Sequence, residues 1–250
     1  MQKMIDDLRM LGIASNDTVL VHSSYKSLGG EGGSPQDVIE ALIEALKEGT
    51  LLMPALSFEN VNKDNPVFDA VNTESCVGIL PETFRKMPGV YRSVHPTHSV
   101  CAYGKHAKEM TEKHYLDTTP VGKNSPFTLL KQYSGKILML GCGLEPNTLI
   151  HGVEECIGTP YVLTKEETVF DIVFPDGKQE KASHIKHHFH DENGKYVHQR
   201  YERLLQVVPI RGGMVLNAVA YPLDANIVWQ AVADKIKEDC WFFVDKEEAE

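Results

Sequence analysis

His151 lies one helical turn ahead of two carboxylates in the stretch Asn147, Thr148, Leu149, Ile150, His151, Gly152, Val153, Glu154, Glu155. If that stretch is helical, the imidazole shares a face with Glu154 at i+3 or with Glu155 at i+4. Histidine is the side chain whose ordinary pKa lies near neutrality, and a carboxylate beside it fixes the tautomer and stabilises the protonated ring. That combination is what a general base requires. A lone histidine with no such partner would more simply be a structural residue.

Three other stretches carry polar chemistry. The first runs from Ser23 to Gly33, with Lys26, Ser27, Leu28 and glycines at 29, 30, 32 and 33. Successive amides leading into a helix N-terminus form a ready anion site. Neither the dinucleotide fingerprint nor the Walker loop is present, so the stretch also reads as an ordinary flexible connection. The second is Tyr91, Arg92, Ser93, Val94, His95, Pro96, Thr97, His98, Ser99, where an arginine fork suited to phosphate or carboxylate sits in a backbone stiffened by proline. The plainer alternative is an arginine that ties a loop down. The third gathers His184, His187, His188 and His190 ahead of Asp191, Glu192 and His198. Two or three of these imidazoles could face a zinc ion, but no cysteine pair or His-Glu-x-x-His motif accompanies them, and the expectation is a site rim with no metal.

These residues must be held by a scaffold, and its pattern is α/β. The β-branched run Thr18 to His22 reads as a strand, followed by the glycine loop and by a helix capped at Ser34, with Pro35 in its first turn. Thr50 to Met53, ended by Pro54, and Lys136 to Leu140, ended by Gly141 and Gly143, read as further buried strands. Gly78 to Met87 and Ala225 to Lys237 read as helices, and Met214 to Tyr221 as one strand. Alternation in Thr168 to Phe174, then Pro175, Asp176 and Gly177, predicts a hairpin-like insertion within 165–210. The expected architecture is a central mixed or mostly parallel sheet flanked by helices, in one domain spanning 1–250. Asp245 to Glu250 reads as a solvated acidic tail.

Composition narrows the partners. The chain has 250 residues, 42% hydrophobic and 24% charged, with formal net charge −10. A negative field and no lysine or arginine run argue against nucleic acid and anionic membrane, and favour a cationic small molecule. No apolar run reaches membrane-spanning length and the start lacks signal-peptide order, so a cytoplasmic protein is expected. The scattered cysteines at 76, 101, 142, 156 and 240 read as buried reduced thiols. Oligomeric state is open, a homo-oligomer included.

Taken together, several stretches resemble the antibiotic acetyltransferase family that contains the aminoglycoside 3-N-acetyltransferases. They are Leu20 to Ser24 before the glycine loop, Gly49 to Pro54, Gly78 to Arg85, Arg92 to Pro96, Ser125 with Pro126, Leu138 to Gly143, and Asn147 to His151 with Glu154. The resemblance implies acetyl-coenzyme A as donor, a small cationic amine as acceptor, and direct transfer without an acyl-enzyme. It places His151 on the family's catalytic histidine, with Glu154, or else Asp191 or Glu192, as the acid that orients it. His22, Ser23, Ser24, Lys26, Ser27, Leu28, Gly29, Arg92, Ser93 and His95 fall where coenzyme A is held, and Glu59, Asp64, Asp69 and Glu155 on the acceptor side. Ser23 or Thr148 could steady the oxyanion. A serine hydrolase using Ser23 or Ser24 is the enzymatic rival, although Gly-x-Ser-x-Gly is absent. A non-catalytic coenzyme A- or metal-binding protein is the other.

Overall fold

The computed structural model describes residues 1–246. In chain order the first half comprises α1 (Gln2–Met10), β1 (Thr18–Ser23), α2 (Pro35–Ala45), β2 (Thr50–Pro54), β3 (Val67–Asp69), α3 (Ile79–Arg85), β4 (Tyr91–Arg92), β5 (Val100–Gly104), α4 (Ala107–Thr111) and α5 (Pro126–Leu129). The second half comprises β6 (Lys136–Leu140), α6 (Thr148–Ile157), β7 (Thr168–Val173), β8 (Gln179–His184), β9 (Val197–Gln199), β10 (Gly213–Val215), β11 (Ala218–Asp224), α7 (Ala225–Glu238) and β12 (Val244–Lys246).

A seven-stranded sheet in the order β10-β11-β6-β1-β2-β5-β4 forms the centre. Only β1 with β2 and β1 with β6 pair in parallel, and the outer pairings are antiparallel, so the sheet is mixed. Its inner strands are apolar on both faces because helices cover both. Val19, Val21, Leu138 and Leu140 pack with Met4, Leu8, Ile39, Leu42 and Phe84 from α1, α2 and α3. The alternate residues Leu20, Ile137 and Met139 pack with Phe127, Ile150, Val153, Val228 and Val232 from α5, α6 and α7. The α2 start is set by a capping box, in which Ser34 Oγ accepts from Asp37 N at 3.2 Å and the Asp37 carboxylate accepts from Ser34 N at 2.8 Å.

The hairpin expected within 165–210 is β7 with β8, turned at Gly177 with φ 85°. It is extended by β3, which emerges from the polar loop after β2 and runs parallel to β7. The run from Met214 to Tyr221 departs from expectation: it is β10 and β11 folded back on each other, not one strand. Leu216 takes a left-handed φ of 53° at the turn, where its N–H donates to the Asp7 carboxylate at 2.8 Å. The expected tail begins inside ordered structure, since Asp245 lies in β12 and pairs with Arg200 and Arg203. The rest of that tail, 247–250, lies outside the described residues. All five cysteines are free; Cys101 is buried, as expected, but Cys156 is exposed. Among the described residues no helix is long and apolar enough to cross a membrane.

Candidate active site

The carboxyl ends of β1, β2 and β6 open on one edge of the sheet, the usual place for a ligand in an α/β fold. Two cavities meet there. The smaller, about 240 Å³, is lined by His22, Ser23, Pro54, Val77, Pro81 and Thr148. The larger, about 630 Å³, is lined by Thr97, His98, Lys186, His187, Phe189, Tyr196 and Tyr201 among others. Leu56, Phe58, Pro146 and His151 line both, so His151 stands in the wall the two chambers share.

Strand β6 ends at Leu140, the glycines at 141 and 143 turn the chain with φ of 71° and 69°, and α6 begins at Thr148 with Asn147 as its N-cap. His151 and Glu154 therefore share a face, with Nδ1 to Oε2 at 3.2 Å. Glu154 is wholly buried. It is satisfied by hydroxyls: Tyr201 donates to Oε2 at 2.8 Å and Tyr161 to Oε1 at 3.0 Å. Tyr201 Oη also lies 2.7 Å from His151 Nδ1. A carboxylate only accepts, and the single Tyr201 proton already serves it. Nδ1 must then carry the ring proton, which leaves Nε2 as the basic nitrogen. Burial beside Glu154 pushes both tyrosines well above the ordinary phenol value, so they stay protonated donors.

In the smaller chamber, Ser23 Oγ and His22 Nε2 are buried without a hydrogen-bond partner, as are both side-chain heteroatoms of Asn147 at the start of α6. Buried polar atoms are rarely left unpaired unless something else completes them. Burial lowers the His22 pKa to about 3, with His151 adding to the effect, so its ring is neutral. Beyond Ser23 the loop is used mainly by the fold. Ser27 Oγ donates to Gly141 O at 2.8 Å and lies 3.0 Å from Ser24 Oγ, Leu28 is 1% exposed in the core, and Lys26 is exposed. A Cβ on Gly29 would sit 2.6 Å from Asn217 Nδ2 on a backbone with φ 69°. That glycine is required by close packing, and Leu28 is a core residue.

Arg92, Ser93 and His95 do not reach either chamber. The Arg92 guanidinium donates to Ser99 Oγ at 2.9 Å, Thr73 O at 2.5 Å and Ala55 O at 3.1 Å, and lies over the Phe68 ring. These donors go to the Ser99 hydroxyl and to two backbone carbonyls, and tie three loops together. Ser93 Oγ accepts from Val100 N at 2.8 Å and pairs with His114 Nδ1 at 2.9 Å, while His95 Nδ1 accepts from His98 N at 3.0 Å. Both residues are fully buried.

The expected acceptor-side acids also separate. Glu59 and Asp64 are exposed on the loop whose Phe58, Val61 and Asn62 line the larger chamber. Asp69 instead closes a turn, accepting from Val71 N and Asn72 N at 2.8 and 2.9 Å. Glu155 points away from the chamber, accepts from Val121 N at 2.9 Å, and meets His187 Nε2 at 2.6 Å. Burial pushes its pKa up to about 7. The histidine-rich stretch divides: His184 stands edge-on to His95 in the interior with ring centroids 4.9 Å apart, whereas His187 and His188 line the chamber. Among the described residues no three of these side chains form a metal-holding group.

Sequence reasoning missed Tyr161 and Tyr201. Tyr161 follows the helix in a turn and Tyr201 opens a 3-10 turn some fifty residues from His151, so neither shares a helix face or strand with the histidine. Only the rule that a buried carboxylate needs donors could have called for such partners, without naming them.

The sequence model of the family described as Aminoglycoside 3-N-acetyltransferase matches residues 20–237. Among curated proteins, the SPbeta prophage-derived aminoglycoside N(3')-acetyltransferase-like protein YokD of Bacillus subtilis is 29% identical over 222 residues, 80% of each chain. Aminoglycoside N(3)-acetyltransferase VII of Streptomyces paromomycinus is 34% identical over 63% of this chain and 61% of that one. Among solved structures, a variant of aminoglycoside acetyltransferase AAC(3)-IVa in complex with a gentamicin superposes with TM-score 0.81 at 26% identity, covering 97% of this chain and 90% of that one. YokD from Bacillus subtilis superposes with TM-score 0.79 at 26% identity, covering 95% and 98%. With the family match running from the central strand β1 to the end of α7, across every residue of the shared wall, the chain belongs to the aminoglycoside 3-N-acetyltransferase family of acyltransferases.

Proposed function

We propose that the protein transfers the acetyl group of acetyl-coenzyme A directly to an amine of an aminoglycoside or similar polycationic small molecule, with His151 as general base and Glu154 as its orienting acid. The observation that carries this reading is the position of His151 between two chambers with Nδ1 held by Glu154 and Tyr201. A thioester on one side and an amine on the other would both lie within reach of Nε2.

The smaller chamber suits the donor. Its unpartnered Ser23 hydroxyl, the neutral His22 and the start of α6 offer polar atoms to a thioester carbonyl and a pantetheine arm. As the amine attacks, charge develops on that carbonyl oxygen, and the Ser23 hydroxyl or the Thr148 amide at the helix N-terminus would receive it. The larger chamber suits the acceptor, with Glu59 and Asp64 near its rim to attract a cation. Among the structural relatives, one is a binary complex with CoASH and others are bound to gentamicin, sisomicin or apramycin. Because coenzyme A is an intracellular cosubstrate, the reaction belongs in the cytoplasm.

The hydrolase alternative is less well supported. Ser23 Oγ makes no hydrogen bond to His151, the contact that would activate it as a nucleophile.

The test is release of free thiol from acetyl-coenzyme A in the presence of gentamicin, sisomicin, apramycin or simple polyamines. His151→Ala should lower turnover by ~10² or more with coenzyme A affinity nearly intact. A folded variant retaining more than about a tenth of the wild-type rate would remove His151 from the role of base. Intact-mass analysis during turnover should show no acetylated protein.

A further inference from the structure

Helix α6 bears two carboxylates in succession, and each meets a different imidazole. Glu154 holds His151, while Glu155 holds His187 through a 2.6 Å contact to Nε2, with side chains only 5% and 7% exposed. The two rings stand 4.8 Å apart by centroid, at 60° to each other, and both line the larger chamber. Among the described residues, His187 Nδ1 has no hydrogen-bond partner, so it is this nitrogen that remains for a ligand. The site thus contains two histidine–glutamate pairs built from one helix.

The chemistry of an ammonium acceptor supplies a use for both. An alkylammonium must lose one proton to become a nucleophile and a second as its nitrogen becomes an amide. The departing thiolate recovers one of these; the other has to leave by a different route. A single imidazole cannot hold both.

We propose that His187, positioned by Glu155, removes the first proton from the bound ammonium, and that His151 removes the second. This rests on the acetyl-transfer reading above. The first proton enters at His187 Nδ1, and the Nε2 proton passes to the Glu155 carboxylate; when the chamber empties the relay reverses, and Nδ1, which faces the chamber, returns the proton to solvent. The C–N bond then forms, His151 Nε2 takes the second proton, and the C–S bond breaks as that proton reaches the coenzyme A sulfur. Glu155 is a positioning residue acting through His187.

The surroundings favour a proton crossing this pair. His187 is faced by Glu155 and His151 from α6 and by His98, whose ring lies 4.7 Å away, and its chain neighbours Lys186 and His188 line the same chamber. The Val121 N–H donates to Glu155 Oε1, and Glu155 Oε2 is buried without a partner. Burial lowers His187 and raises Glu155 to about 7, which favours passing a proton from the ring to the carboxylate. The ring therefore does not trap the proton it receives.

The experiment is the pH dependence of kcat/KM for His187→Gln and Glu155→Gln beside wild type and His151→Ala, with one accepted amine and folding checked by circular dichroism. Loss of the first acceptor should lower the rate at pH 7 by about tenfold to a hundredfold and restore it toward the wild-type value near pH 9, where solution already supplies free amine. His151→Ala should stay slow at both pH values. A pH profile identical to wild type, or a loss of equal size at every pH, in both His187→Gln and Glu155→Gln, overturns the proposal and leaves acetyl transfer standing. Absence of any transfer by the wild type overturns both.

Discussion

The hydroxyl of Tyr201 stands 2.7 Å from Nδ1 of His151, closer to the imidazole than the Glu154 oxygen at 3.2 Å. The carboxylate therefore acts on the ring partly through a phenol that it polarises in turn. Tyr201→Phe should remove this link while keeping the ring's apolar contacts with Phe243 and His151. Turnover is expected to fall by about tenfold, with Glu154→Gln falling further, to the ~10² typical of losing an oriented base. Unchanged kcat in a folded Tyr201→Phe protein would assign the phenol to packing alone.

Ser23→Ala should separate stability from activity. Its Oγ is buried without a partner, and an unsatisfied buried hydroxyl costs about 1–3 kcal/mol. Removing it should raise Tm in the ligand-free protein while slowing acetyl transfer. A lowered Tm would mean the hydroxyl is already satisfied in solution.

Arg92→Ala should unfold the protein more easily and leave coenzyme A affinity nearly unchanged. The truncation strands the Thr73 carbonyl and removes one partner each from Ala55 O and the Ser99 hydroxyl, which keep their own bond at 2.7 Å. Burial lowers the guanidinium pKa to about 10, so it remains a cation at neutral pH and each lost contact is charge-assisted. The expected cost is about 3–5 kcal/mol, read as a drop in the urea midpoint. Calorimetry showing a large loss of coenzyme A affinity at unchanged stability would restore the phosphate role.

Acid should destabilise the fold unusually early. Burial lowers His22 and His114 to about 3 and His184 to about 4, and lowers His95, His98 and His187 as well. Folded, these rings are neutral; unfolded, each takes a proton as pH falls through about 6.5. Because the unfolded chain binds more protons, stability falls with decreasing pH, by about 1.4 kcal/mol per pH unit for each such group. Three of them over about 1.5 units offset much of a typical 5–15 kcal/mol. Tm should decline steeply between about pH 6.5 and 5. A flat Tm over that interval would show that the rings are not held neutral.

What the sequence revealed follows the range of its signals. Periodicity and caps act over a few residues, and so α2, β1, β6 and the shared face of His151 and Glu154 were legible. The glycine loop was legible as a turn, but its composition does not distinguish a ligand from Asn217 as the reason for a missing side chain. Arg92 is ambiguous for the same cause: a guanidinium suits a carbonyl as well as a phosphate. Tyr161 meets Glu154 across the turn that ends α6, 7 residues on, whereas Tyr201 and the His187–Glu155 pair arise from contacts 32 to 50 residues apart, which depend on where the segment after the hairpin returns to α6.

The smaller chamber is framed by the ends of β1 and β2 and the start of α6, whereas the larger is closed by the connection between β8 and β9, outside the central sheet. Rewriting residues 185–200 would leave the inner strands and their ladders untouched. On the proposed assignment of the chambers, replacing that connection while keeping His187 would alter the acceptor side and leave the donor side intact, so a graft of it between relatives is the natural unit for redirecting specificity.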